Sequence, residues 1–396
     1  MKHIALAVAA IVVLAAVVNF LRPVPPASLQ ARLPRSWTLP GTAPAMPWPS
    51  HGEATVSIQG VGTLGSSGPD RPLPIGSLAK IMVAFLVLKH HPLGANQNGP
   101  VITVTPADVA AYQADLGPTQ QSLVPVVLGE RLSERQLLEA LLIPSGNNIA
   151  TVLARWVSGT QRRFIALMNR TARSLGMRHT HYADTSGFSA ATVSTARDQV
   201  RLARLALAQP AFRAISRMPQ VRLPIVGLTY NFDYGLGHDG IFGVKTGSTV
   251  IAGGSYVFAA HRRVGGQRVT VLGAVLGQPG VHPLQNAIAA GERLVVAAAG
   301  AVHRELLVPR GTVAAVVRGP WTPPVPVTTP RAVTALGWAG LTVRARVVPS
   351  PLTPRIAAGQ VVGRLRVTVG RQRFAVALRA KRSLPRPSLL WRLTRL

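Results

Sequence analysis

The 396-residue chain contains no cysteine. That excludes a disulfide framework, a thiol nucleophile and a thiolate-ligated metal. Carboxylates are scarce: 13 Asp+Glu stand against 43 Lys+Arg, for a formal net charge of +30. Charged residues of both signs make up only 14% and hydrophobic residues 47%, which excludes a chain disordered throughout. The length suits two or three domains with a large buried core. A field this positive favours anionic partners such as nucleic acid, an anionic membrane face or an acidic wall polymer. The plainer reading is a compositional habit of using arginine at solvated positions.

The N-terminus narrows the choice of partner. Met1-Lys2-His3 is followed by an unbroken apolar run from Ile4 to Val18, then Asn19-Phe20-Leu21-Arg22. A short basic start and a long apolar stretch read as a signal anchor or signal peptide over residues 1–22. A spanning helix needs about 20 residues, which Ile4 to Leu21 nearly supplies. With no small-x-small cleavage site directly after the run, an uncleaved anchor in the cell membrane, facing outward, is the expectation, and a secreted protein is the alternative. Export disfavours nucleic acid as a partner, as does the 5% aromatic content.

Residues 23–50 hold eight prolines and read as an extended linker. From 51 to 300, strand-like and helix-like runs are mixed. Ser77 to Lys89 is apolar at nearly every position and predicts a buried helix. Glu134 to Leu142, Asn147 to Val157 and Gln285 to Ala298 predict further helices; Ser255 to Ala260 and Val269 to Gly277 predict core strands. Residues 301–380 change texture, with short β-rich runs between Pro and Gly turns, and predict a small all-β domain. Residues 381–396 form a basic tail. As a helix it would put Leu389, Leu393 and Leu396 on one face, suited to a membrane interface.

Three short motifs carry candidate chemistry. In Ser77-Leu78-Ala79-Lys80 the i,i+3 spacing puts Lys80 beside the Ser77 hydroxyl on a helix. A serine is a weak nucleophile until a base takes its proton, and a lysine can be that base where burial and nearby positive charge lower its pKa. Near a helix N-terminus, free N–H groups favour a developing oxyanion. In Ser145-Gly146-Asn147 a hydroxyl and an amide can point into one cleft; an ordinary turn and helix cap would read the same. In Lys245-Thr246-Gly247-Ser248, after the strand-like Ile241 to Val244, lysine and threonine suit a carboxylate and glycine allows close backbone approach. Each motif alone has an ordinary structural explanation.

Their conjunction and order resemble the penicillin-binding protein and serine β-lactamase superfamily. Within it the chain looks most like the D-alanyl-D-alanine carboxypeptidases, the low-molecular-mass penicillin-binding proteins. Further matches are His181 to Phe188 (HYADTSGF), Ser194 to Asp198 and Asp239 to Gly254. The resemblance implies an α+β fold: a catalytic domain over 51–300, with an antiparallel sheet, flanking helices and a helical subdomain, followed by a small all-β domain. It implies Ser77 as acylated nucleophile, Lys80 as its base, Ser145 and Asn147 in proton transfer and substrate binding, and Lys245 and Thr246 on the substrate carboxylate. Gly247 would admit the substrate backbone, and the Ser77 and Ser248 N–H groups would form an oxyanion hole. The implied reaction removes the terminal D-alanine from peptidoglycan stem peptides, with β-lactams as acylating inhibitors and no metal or organic cofactor. Gly76, Ala79 and Ser248 depart from the residues common at those positions in relatives.

A β-lactamase-like hydrolase and a D,D-endopeptidase of the same superfamily are the rival enzymes. One β-lactamase class needs a glutamate between the second and third motifs, and none stands between Asn147 and Lys245. A non-catalytic anionic wall-polymer binding protein would have lost a motif residue, and none is lost. The pairs His90-His91 and His179/His181 lack a carboxylate at metal-ligand spacing.

Overall fold

The computed structural model describes residues 1–117 and 121–395. It divides into two compact units, Ala45–Val302 and a smaller one made of Met1–Pro44 with His303–Leu396. In chain order, helix α1 (Lys2–Leu21) leads to strands β1 (Ser28–Ala31) and β2 (Ser36–Thr38). The larger unit then runs through β3 (Glu53–Ile58), β4 (Gly62–Ser67), α2 (Ala79–His90), α3 (Glu134–Leu142), α4 (Asn147–Ser158), β5 (Ile241–Thr249), β6 (Gly253–Val264), β7 (Gln267–Gln278) and α5 (Pro283–Ala301), with other elements between, among them the helices Pro106–Asp115, Gln161–Ser174 and Ala196–Ala206. The smaller unit resumes with the strand His303–Val308, which pairs with Val333–Gly337 in a separate two-stranded ladder, and its main sheet adds β8 (Val313–Gly319), β9 (Thr322–Thr328), β10 (Thr342–Pro349), β11 (Val361–Val369) and β12 (Gln372–Ala380), before the short α6 (Leu389–Thr394).

The larger unit is an α+β assembly around an antiparallel five-stranded sheet of order β5-β6-β7-β3-β4. Long β6 and β7 form its hairpin, and β3 from the start of the unit pairs with β7 near its end. Helix α2 is buried at every position from Ala79 to Leu88. A helix apolar all round can only be a core helix, and Lys80 is its sole charged buried member. It packs in one cluster with Leu137, Leu141, Ile149 and Leu153 from α3 and α4 and with Val244 and Val257 from the sheet. On the sheet, α5 approaches closely through Gly291, where a Cβ would stand 2.8 Å from the Tyr256 ring. The edge strand β5 thus faces the start of α2, and this edge is where the site is built.

The smaller unit is a seven-stranded sheet of order β1-β8-β9-β12-β11-β10-β2. Its two edges, β1 and β2, are joined by only four residues, a reach of at most about 17 Å, so the sheet curls until its edges approach. This corrects the expectation of a linker over residues 23–50. Leu29, Leu33 and Trp37 pack on the core of this unit and Leu39 is buried in it; the prolines fall between the strands and at edges, where a missing N–H is tolerated. Helix α1 is long and apolar enough to cross a membrane, with no residue buried. Helix α6 meets its C-terminal end: Arg392 donates to Phe20 O (2.6 Å) and lies over the Phe20 ring, and Arg395 donates to Asn19 O (2.7 Å). These arginines satisfy carbonyls that a helix end leaves open. Of the expected tail face, Leu389 and Leu393 lie on α6 and Leu396 lies outside the described residues.

Candidate active site

Ser77 sits in a 3₁₀ turn, Gly76–Leu78, that leads into α2. Gly76 takes a φ of +53°, open to glycine at little cost, and this turns the chain from the Pro74 segment into the helix. One turn later Lys80 Nζ lies at hydrogen-bond distance, 2.7 Å, from Ser77 Oγ. The same nitrogen reaches Asn147 Oδ1 at 2.6 Å and the Ser186 carbonyl at 3.1 Å. Asn147 is held in turn, with Nδ2 donating to Gln121 Oε1 (2.8 Å) and its backbone N–H to Ser122 O (2.8 Å). That amide orientation leaves only the Asn147 oxygen facing the lysine.

Burial of Lys80 pushes its pKa well below the ordinary ammonium value; the charge of Lys245 lowers it further and Asp184 opposes. Lys245 is itself buried and its pKa falls to about 8, opposed by Asp233. Its Nζ donates to Thr246 O at 3.0 Å.

Ser145 lies between α3 and α4. Gly146 N donates to Ala140 O, and the turn forces Ser145 to a φ of +64°. That conformation is strained for a residue with a Cβ. Its side chain is buried, and among the described residues its Oγ has no hydrogen-bond partner. A strained residue with an unpaired buried hydroxyl is unfavourable twice over for the fold.

The third motif lies along β5, in register with β6: Lys245 opposite Val257, Thr246 opposite Tyr256, Gly247 opposite Ser255 and Ser248 opposite Gly254. A Cβ at Gly247 would lie 2.9 Å from Ser77 N, and one at Gly76 would lie 3.2 Å from Ser248 N. Glycine at both positions therefore lets β5 lie directly against the turn that carries Ser77. The Ser77 and Ser248 main chains are brought together there.

All eight residues singled out in the sequence belong to elements that meet at this edge. Others could not be identified from the sequence. The segment Asp184 to Thr192 supplies the Ser186 carbonyl, and the Asp184 carboxylate organises it, accepting from the N–H groups of Gly187 (3.1 Å) and Phe188 (2.8 Å) and from Ser186 Oγ (2.8 Å). A Cβ at Gly187 would overlap Gly76 O, so this loop backs the Gly76–Leu78 turn. The HYADTSGF string was the only signal for it. Asp233, deeply buried, accepts from Tyr256 Oη at 2.8 Å, and burial raises its pKa to about 6. Nothing in the local sequence marks it.

Residues 59–279 match the model of the family described as D-alanyl-D-alanine carboxypeptidase. The chain is 32% identical over 172 residues to a D-alanyl-D-alanine endopeptidase of Pseudomonas aeruginosa, an alignment covering 43% of this chain and 52% of that protein. It is 35% identical over 205 residues to the D-alanyl-D-alanine carboxypeptidase DacB2 of Mycobacterium tuberculosis, covering 50% of this chain and 65% of that one. The chain thus spans about half to two thirds of the length of these relatives. Among solved structures it is similar to the Streptomyces K15 DD-transpeptidase, with a TM-score of 0.54 and 27% identity over 66% of this chain and 98% of that one.

Proposed function

Because the chain belongs to the D-alanyl-D-alanine carboxypeptidase family, we propose that it is a serine-type D,D-carboxypeptidase that removes the terminal D-alanine from peptidoglycan stem peptides. The observation that carries this reading is the set of three contacts at Lys80 Nζ. Two of its partners, Asn147 Oδ1 and Ser186 O, can only accept; the third, Ser77 Oγ, can also donate. A neutral amine has two N–H groups and one lone pair. The two N–H groups suit the two oxygens, and the lone pair is left for the Ser77 proton. Burial and Lys245 favour that neutral form.

In the reaction Ser77 Oγ attacks the carbonyl carbon of the penultimate D-alanine while its proton passes to Lys80. The charge that develops on the carbonyl oxygen is met by the N–H groups of Ser77 and Ser248. Lys245 and Thr246 bind the terminal carboxylate, with Gly247 leaving room for the substrate backbone. As the C–N bond breaks, the leaving amine takes a proton from Lys80 through the Ser145 hydroxyl. Water then gives a proton to Lys80 and attacks the acyl carbon; as the acyl–oxygen bond breaks, Lys80 returns that proton to Ser77 Oγ, which frees Ser77. A β-lactam would acylate Ser77 by the first half of this sequence. A D,D-endopeptidase, the activity named for the Pseudomonas relative, would use the same residues on a cross-linked peptide.

Helix α1 would hold the enzyme on the outer face of the cytoplasmic membrane. Supplying a cleavable signal in place of residues 1–22 is expected to release it into the soluble exported fraction. The test of the catalytic reading is D-alanine release from an N-acylated Lys-D-Ala-D-Ala peptide. Ser77→Ala is expected to lower it at least 1000-fold, a loss on the scale of removing an activated nucleophile; release unchanged in a folded Ser77→Ala protein would overturn the assignment.

A further inference from the structure

The excess charge is not spread evenly. The smaller unit contains 21 of the 43 Lys+Arg and a single carboxylate, Glu305, so it has +20 of the net +30. It holds none of the residues assigned to catalysis. Part of this charge is gathered on one sheet surface. Arg344 and Arg346 of β10 are exposed, as are Arg364 and Arg366 of β11, while Val343, Ala345, Leu365 and Val367 between them are buried. Alternation along a strand therefore sends every arginine to the outer face. The register sets Arg346 directly opposite Arg366, and Arg344 opposite Thr368.

Like charges directly opposite on paired strands destabilise a sheet. Among the described residues no carboxylate forms an ion pair with Arg35, Arg344, Arg346 or Arg366. The surface is also concave. A groove of about 670 Å³ is lined by Leu33 and Arg35 from the β1–β2 link and by Arg344, Arg346, Arg366 and Thr368. Four guanidinium groups around one groove, two of them opposed across a strand pair, form an anion site whose counter-charge the protein does not supply.

We propose that this groove binds a phosphodiester-linked polymer, one chain running along β10 and β11. Neighbouring outward positions repeat about every 6.7 Å along a strand and about 5 Å across the pair. That matches an extended chain with one negative charge per short repeat. A phosphodiester leaves two free oxygens that can bridge two guanidinium groups, as the Arg346–Arg366 pair requires. The Leu33 flank suits the uncharged part of each repeat. A planar lipid surface cannot enter a groove, which favours a single chain over the membrane. The inference does not rest on the catalytic reading.

The test uses the full chain in neutral detergent and fluorescently labelled poly(glycerol phosphate), with binding followed by anisotropy across a salt series. The variants are Arg344→Gln/Arg346→Gln/Arg366→Gln in the groove and Arg310→Gln/Arg331→Gln/Arg355→Gln elsewhere on the same unit. The groove triple is expected to bind at least tenfold more weakly at 0.1 M salt, with the salt slope reduced by about 2–3 for the lost phosphate contacts; the control triple is expected to lose no more than threefold. The polymer is expected to raise the melting temperature of the parent and not of the groove triple. Arg346→Gln alone, which relieves the opposed pair, is expected to melt slightly higher than the parent without polymer, and that reports folding independently of binding. Equal losses in both triples would overturn the proposal, because the charge would then act without a site. It would equally be overturned if polyglutamate bound as tightly as poly(glycerol phosphate), or if only phosphatidylglycerol vesicles bound and the groove triple lost that binding.

Discussion

Lys80 Nζ stands 2.6 Å from Asn147 Oδ1, a contact between residues 67 positions apart that joins the first motif to the second. Because the Asn147 amide nitrogen is committed to Gln121, the lysine meets a neutral oxygen and no negative charge. That neutrality helps keep the amine deprotonated. Asn147→Asp would put a carboxylate against Lys80, favour the ammonium and raise its pKa. Acylation by a labelled penicillin is expected to fall at least tenfold at pH 7 and to recover as pH rises, with the acid limb of the rate profile moved up by more than one pH unit. A uniform loss at every pH would mean that Asn147 acts only by holding substrate.

The parent enzyme should show a bell-shaped acylation profile. The rate is expected to rise with pH as Lys80 becomes neutral, at a pH well below the usual lysine range, and to fall above about pH 8 as Lys245 loses the charge that binds the substrate carboxylate. Lys245→Arg keeps a cation that does not titrate in this range. Its alkaline limb is expected to move above pH 10, while the rate at pH 7 drops several-fold from altered geometry. Rate measurements between pH 5 and 10.5 on both proteins check this.

Ser145 carries a positive φ and a buried hydroxyl without a partner among the described residues. Ser145→Gly removes the side chain and relieves the backbone, so it is expected to stabilise the protein by about 1 kcal/mol while slowing acylation at least tenfold. Ser145→Ala is expected to slow acylation as much but to leave the strain in place. Denaturant melts with acylation rates on the three proteins separate strain from chemistry.

Asp233 tests the support beneath β5. Its carboxyl titrates at about 6 in the folded protein, raised by burial from an ordinary value of 3.8. A carboxyl with a raised folded pKa favours the folded state fully below its unfolded pKa, and that contribution is lost as pH climbs through the folded value. The parent is therefore expected to lose roughly 2 kcal/mol from this group between pH 4 and 7, most of the about 3 kcal/mol that the whole shift is worth at 1.36 kcal/mol per pKa unit. Asp233→Asn keeps the acceptor for Tyr256 Oη and should lack that slope, being more stable than the parent at pH 7.5. It also removes the negative charge that supports the Lys245 ammonium, so its alkaline acylation limb should move downward. Melts from pH 4 to 8 and the rate profile read the two effects separately.

The parts of this protein legible in the sequence are those set by short spacing. The i,i+3 step from Ser77 to Lys80 and the all-apolar α2 need only helix geometry, and the predicted helix Glu134 to Leu142 matches the observed α3, which a Ser133–Gln136 capping box starts in the structure. What was hidden depends on distant partners. The Lys80–Asn147 contact, the Ser186 carbonyl and the burial of Asp233 exist only once separate segments meet. The left-handed conformation of Ser145 is imposed by the turn around it, against its own preference. The proline content of residues 23–50 predicts a linker and hides the strands β1 and β2, because the partners of Leu29 and Trp37 lie some 300 residues later in β8 and β10.

The central claim is that Ser77, activated by Lys80, becomes acylated. The most direct test is to incubate the folded protein with a labelled penicillin, digest it and locate the label by mass spectrometry. The expected result is one adduct, on the Ser77 hydroxyl, slowed 100-fold or more in Lys80→Arg because a guanidinium cannot serve as the base. A label on another residue, or no label on folded protein, would contradict it.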